Sequence, residues 1–213
     1  MNRNQQFVIA INRELGSGGR TVGRKLAEKL GVPYHDKAVS ITLEEEYQLT
    51  TEQQEELKGQ NHGRWIQIKR SDGRQFVDDR IYQVNPSEED AQERADQLFR
   101  TEQEALQRIA DEASCVVAGR SAFYAFRNHP NHLSVLIQAS MEERVARVAR
   151  KQQLSDDEAR QLIERIDTMR ENYVSSHTGT SRYDTRNYDL VLRADGKTED
   201  QLVDIILHYI DAL

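Results

Sequence analysis

The chain has 213 residues, with 29 Lys and Arg against 36 Asp and Glu, a formal net charge of −7. A 37% apolar fraction suffices for a core and argues against long disorder, while 3 Pro and 11 Gly exclude collagen-like and Pro-rich classes. The longest apolar runs fall far below the roughly 20 residues of a membrane span; a single cysteine, Cys115, excludes an internal disulfide and a multi-Cys zinc site; and the net acidity speaks against a dedicated duplex nucleic-acid binder.

Phe7-Val8-Ile9-Ala10-Ile11 is too short for a buried helix and rich in β-branched residues, so it reads as a buried strand of a parallel sheet. Gly16-Ser17-Gly18-Gly19 follows, and then a helix to Leu30 with Val22, Leu26 and Leu30 on one stripe. Gly31 and Pro33 give it a double stop signal. Val32–Asp36 reads as a short second strand, and 37–47 as a helix. Residues 48–87 lose all periodicity and read as an insert, with a hairpin about Asp72-Gly73. Residues 88–112 form one long helix, Cys115–Ala118 a third strand, Leu133–Ile137 a fourth and 141–152 a helix. Ser155…Glu158 and Thr198…Gln201 are capping boxes that open two further helices, on either side of a fifth strand at Tyr188–Leu192. Strands alternating with helices predict an α/β fold, a parallel sheet covered on both faces within one domain spanning 1–213. No signal-peptide-like segment opens the chain, so a cytoplasmic location is expected.

The sharpest local signal is the strand-to-helix run Asn12-Arg13-Glu14-Leu15-Gly16-Ser17-Gly18-Gly19-Arg20-Thr21. Glycines allow the tight turn that aims backbone amides inward, and the helix start adds about half a positive charge. Gly16, Ser17, Gly18, Gly19, Arg20 and Thr21 therefore read as a phosphate cradle, with Arg20 toward the outer phosphates and Thr21 as the Mg²⁺ ligand. A strict P-loop pattern would place its first glycine at Glu14 and its lysine at Arg20, so the match is incomplete.

This loop resembles the SRE-x-GSGGR loop of the cytidylate kinase-like proteins, P-loop phosphotransferases related to the nucleoside monophosphate kinases. Leu26–Lys37, Cys115–Ala122 and Asn187–Leu190 extend the likeness, which fades in the insert. The resemblance implies a P-loop NTPase three-layer sandwich with a five-stranded parallel sheet and an arginine-bearing helical lid. It implies ATP with Mg²⁺, and a nucleoside monophosphate or other small phosphoacceptor. The chain departs from true cytidylate kinases at Arg20, where they carry Lys, and at Ala118-Gly119-Arg120-Ser121, where they carry Asp-Gly-Arg-Asp.

Arg120, at the carboxyl end of the third strand, is either a clamp on the acceptor phosphate or a surface arginine. Asp36 either orients the acceptor or caps the helix after it. Arg144, Arg147, Arg150 and Lys151 project to one arc of about 120° on the 141–152 helix, either the basic face of an anion-binding lid spanning 141–173 or a solvated charged face. Arg170 falls inside the apolar stripe of its helix, where an unpaired charge is costly, so it either pairs with an anion, as a lid arginine would, or lies past the helix end; Arg165 lies off the stripe and is the weaker lid candidate. Trp65 and the six histidines read as packing or surface residues. Two alternatives to nucleoside monophosphate kinase activity stay open at this point: transfer to a different acceptor, and a nucleotide-binding regulatory module without transfer.

Overall fold

The computed structural model describes residues 1–36, 88–119 and 121–213. The expected 37–47 helix, the insert at 48–87 with its hairpin and Trp65, and Arg120 lie outside the described residues. Strands β1 (Val8–Arg13), β2 (Tyr34–His35), β3 (Cys115–Ala118), β4 (His132–Gln138) and β5 (Leu190–Arg193) form one sheet in the order β2-β3-β1-β4-β5. Every pairing is parallel. Among the described residues the α-helices are α1 (Gly19–Leu30), α2 (Glu88–Glu112), the short α3 (Ala122–Ala125), α4 (Met141–Gln152), α5 (Asp156–Thr178) and α6 (Glu199–Asp211).

The central strand explains the layering. Its side chains alternate faces, and both faces are apolar. Ile9 and Ile11 pack with Val22, Leu26, Leu202 and Ile206 of α1 and α6. Val8 and Ala10 pack with Leu98, Leu106 and Ala110 of α2 and with Phe126 just past α3. Helices therefore cover the sheet on both sides. A third apolar cluster, Val145, Val148, Ala159 and Ile163, holds α4 against α5.

Local signals set most boundaries. Gly31 ends α1 in the left-handed conformation, with its amide bonded to the last turn. Both capping boxes form, Ser155 with Glu158 and Thr198 with Gln201. The fifth strand starts two residues later than its apolar pattern predicts. Tyr188 ends a single 3₁₀ turn, Thr185–Asn187, and its hydroxyl donates to the Arg182 carbonyl at 2.7 Å. The Asp189 carboxylate accepts from the Ser134 amide at 2.8 Å. These polar contacts fix the strand's entry before its ladder begins. Among the described residues, no helix is long and apolar enough to cross a membrane.

The core has two direct checks. Phe126 is fully buried, so Phe126→Ala is expected to cost about 3–5 kcal/mol in urea unfolding. Cys115 is buried in β3, and burial pushes its thiol up to about 11. A thiol reagent at pH 8 should label it only after denaturant is added.

Candidate active site

The loop between β1 and α1 sits at the carboxyl end of the central strand, where open α/β sheets bind ligands. Gly16 and Gly18 have φ of 88° and 84°, which other residues rarely adopt. Space is also short: a Cβ on Gly16 would lie 2.8 Å from the Arg144 carbonyl oxygen, and one on Gly19 would lie 2.6 Å from the Arg13 Cβ. The Ser17 amide and hydroxyl both donate to the Glu14 carbonyl, at 3.3 and 3.0 Å, and close the turn on itself. The Thr21 amide donates to the Gly18 carbonyl at 2.9 Å. Among the described residues, the amides of Gly16, Gly18, Gly19 and Arg20 donate to no protein group. They lie at the loop and first turn of α1, so the cradle expected from sequence has open donors.

The loop is gripped from outside. Leu15 donates its amide to Asp167 Oδ1 at 3.2 Å, and its carbonyl accepts from Arg144 Nε at 2.8 Å. Arg144 and Asp167 are ion-paired with each other, and Arg144 Nη1 stands 3.4 Å from Glu14 Oε1. The other Glu14 oxygen accepts from the Ala139 amide at 3.0 Å. Arg182 completes the grip: its Nη2 donates to the Arg13 carbonyl at 2.5 Å and to Asn12 Oδ1 at 3.3 Å. Arg144 is thus not part of the exposed basic face that helical projection assigns it. It is 6% exposed and turned under the loop, because three oxygen acceptors there compensate its charge.

A cleft of about 710 Å³ opens over the loop. Among the described residues, Arg13, Arg20, Arg147, Arg150, Lys151, Arg170 and Arg182 line it, with Glu14, Asp36 and Glu102 as the acids. Asp36 bridges two of the cations: it pairs with Arg13 Nη2 at 2.9 Å and with Arg20 Nε. Arg20, at the P-loop lysine position, therefore points toward the end of β2. The nearby Tyr34 hydroxyl, pushed up to about 12 by burial and by the Asp36 charge, donates to the Arg20 carbonyl at 3.1 Å. Arg147 lies over Gly18, where a Cβ would be 3.1 Å from its Nη1, and pairs with Glu199 of α6 at 2.5 Å. That hydrogen bond holds the Glu199 carboxyl below the usual range. The pair's contribution is complete above the ordinary glutamate range and is lost as pH falls through the lowered value.

The other sequence candidates divide. Arg150 and Lys151 are exposed on the cleft wall. Arg170 lines the cleft beside Ile166 and Met169 and stands 3.8 Å from Asp167. Arg165 is exposed and does not line the cleft. Thr21 lines the cleft. Among the described residues no three His, Cys, Asp or Glu side chains cluster as a metal site.

Five residues enter the site that sequence reading passed over: Arg13, Ser121, Glu102, Asp167 and Arg182. Glu102 is fully buried and accepts from the Tyr173 hydroxyl at 2.8 Å. Asp167 is the i,i+3 partner of Arg170, a spacing visible in the sequence. Arg182 stands in an irregular stretch with no periodicity to mark it.

The grip on the loop gives a stability prediction. Asp167→Ala leaves Arg144 and Arg182 buried without their shared carboxylate, and is expected to cost about 3–5 kcal/mol in urea unfolding. Arg165→Ala, at an exposed position, is expected to change stability by no more than about 0.5 kcal/mol.

Solved structures share the architecture. An uncharacterized protein from Eubacterium ventriosum ATCC 27560 superposes with a TM-score of 0.65 at 23% identity, over 98% of this chain and 100% of that one. TT1252 from Thermus thermophilus gives 0.55 at 22% identity, over 98% and 97%. Shikimate kinase from Bacteroides thetaiotaomicron gives 0.54 at 14% identity, over 96% and 98%. These likenesses establish the fold, that of the P-loop kinases. Comparison with curated protein sequences finds no match. The sequence model of one family spans residues 8–195, from the first residue of β1 to the turn after β5, and by that match the chain belongs to the cytidylate kinase-like family.

Proposed function

We propose that the protein is an ATP-dependent phosphotransferase whose acceptor is a nucleoside monophosphate, cytidylate first. One observation carries the reading: among the described residues, four amides without a protein partner belong to residues lining a cleft whose cations outnumber its acids, in a chain that is acidic overall. That arrangement suits a polyanion and little else.

In this reading the amides of Gly16 to Arg20 hold the triphosphate, and the hydroxyl of Thr21 holds its Mg²⁺. The ion supplies charge neutralisation between the outer phosphates. Arg147, Arg150, Lys151 and Arg170 close from α4 and α5 and stabilise charge on the transferring phosphoryl group. Asp36, held between Arg13 and Arg20, faces the acceptor side and relays cradle position to acceptor position. The protein contributes positioning, electrostatics and exclusion of water rather than covalent chemistry. One observation favours the binding module without transfer: the basic residue at the lysine position is already paired with Asp36.

The two readings separate in one assay. The protein is incubated with labelled ATP, Mg²⁺ and a panel of nucleoside monophosphates, shikimate and other small hydroxyl acceptors. The proposal expects labelled nucleoside diphosphate, most from cytidylate. Transfer only to a non-nucleotide acceptor, or ATP binding with no transfer at all, overturns it. Within the active enzyme, Arg170→Ala is expected to lower kcat by about 10²–10³-fold with little change in ATP affinity, measured by steady-state kinetics.

A further inference from the structure

Arg20 stands in the first turn of α1, beside the open amides, yet its guanidinium is engaged by a protein group. Its Nε is ion-paired with Asp36 Oδ2, just past β2. Both residues line the cleft. The carboxylate also meets Arg13, and the two arginines are not equivalent. Arg13 Nη2 donates an aligned hydrogen bond to Asp36 Oδ1 at 2.9 Å, and the Arg13 side chain is 17% exposed. A Cβ on Gly119 would overlap the Arg13 Nη1, so this guanidinium is boxed in on its far side.

The Arg20 contact is looser. Asp36 Oδ2 is buried and, among the described residues, has no hydrogen-bond partner, so Arg20 meets it by charge without alignment. The Arg20 side chain is 57% exposed, and ion pairs with a largely solvated member hold weakly. Asp36, at 11% exposed, keeps Arg13 when Arg20 leaves, so the departure strands no buried charge. The backbone lets the side chain move alone. The Tyr34 hydroxyl holds the Arg20 carbonyl at 3.1 Å, and Val22 and Leu26 of the same helix are fixed in the core.

The Arg20 amide is one of the four that donate to no protein group among the described residues. A phosphate at that amide neighbours the side chain of the same residue, and a guanidinium meets carboxylate and phosphate with one fork of donors. The Arg20 Nε cannot serve both at once.

We propose that the Arg20–Asp36 pair is an autoinhibitory contact: Asp36 competes with the outer phosphates of a nucleoside triphosphate for Arg20, and binding exchanges the carboxylate for a phosphate while Arg13 retains Asp36. The triphosphate itself rests on the phosphotransferase reading above. The contact lowers the apparent nucleotide affinity by the fraction of molecules in which Arg20 is disengaged.

Calorimetry would titrate adenylyl imidodiphosphate, a non-hydrolysable triphosphate, with Mg²⁺ into the wild-type chain, Asp36→Asn, Arg20→Ala and the double variant. Loss of a carboxylate near a polyanion strengthens binding by charge alone, so the coupling between the two changes is the measure. The affinity gained from Asp36→Asn is expected to be at least about fivefold larger with Arg20 present than in the Arg20→Ala background. Damage to the fold lowers affinity, so a gain cannot come from misfolding. In an NMR experiment, the Arg20 Nε–H resonance, assigned by its absence in Arg20→Ala, should shift when the wild type is saturated with the analogue, and in Asp36→Asn without it. Equal gains in the two backgrounds, no gain with Arg20 present, or a resonance that neither change moves overturns the proposal while triphosphate binding stands. Should none of the four proteins take up the analogue, the phosphotransferase reading falls, and this competition with it.

Discussion

Both backbone polar groups of one loop residue, Leu15, are taken by a single buried ion pair, and the geometry of the cleft follows from that. Leu15 gives its amide to Asp167 and its carbonyl to Arg144. The two side chains come from α5 and α4, and each is less than a tenth exposed. With Leu15 fixed, the chain turns through Gly16 and Gly18 at positive φ into the first turn of α1. The same pair joins the glycine loop mechanically to the helices that carry the cleft's outer cations. Movement of α5 relative to the sheet therefore cannot leave the loop undisturbed.

Charge is partitioned with equal economy. Among the described residues seven cations line one cleft of an acidic chain, and several are held by a carboxylate. Asp36 bridges Arg13 and Arg20, and Glu199 tethers Arg147. Partially compensated guanidiniums are cheaper to place together than bare ones, because like charges at close range repel strongly in a partly desolvated site. A guanidinium meets a carboxylate and a phosphate with the same fork of donors.

Most of the fold was legible because local and global signals agreed. The β1 run, the α1 stripe with its Gly31 stop, and both capping boxes each point to one structure, and the chain adopts it. The site was legible where it is built from backbone, since glycine spacing is itself a statement about φ and space. It was less legible where it is built from side chains. Arg144 projects onto the same helical arc as Arg147, yet one is buried beneath the loop and the other lies over it. Helical periodicity gives direction about an axis; it does not tell which direction is occupied by compensating oxygens.

The sequence by itself determined the strand–glycine loop–helix unit, the alternation of strands and helices and the family to which they belong, because these depend on neighbours a few residues apart. Only the tertiary structure decided that Asp167 and Arg182 hold the loop from 152 and 169 residues away, and that Asp36 sits between two arginines. Those outcomes turn on which charges and donors meet after the sheet assembles, and the energy of a buried polar group is set by the partners it meets there, not by its place in the chain.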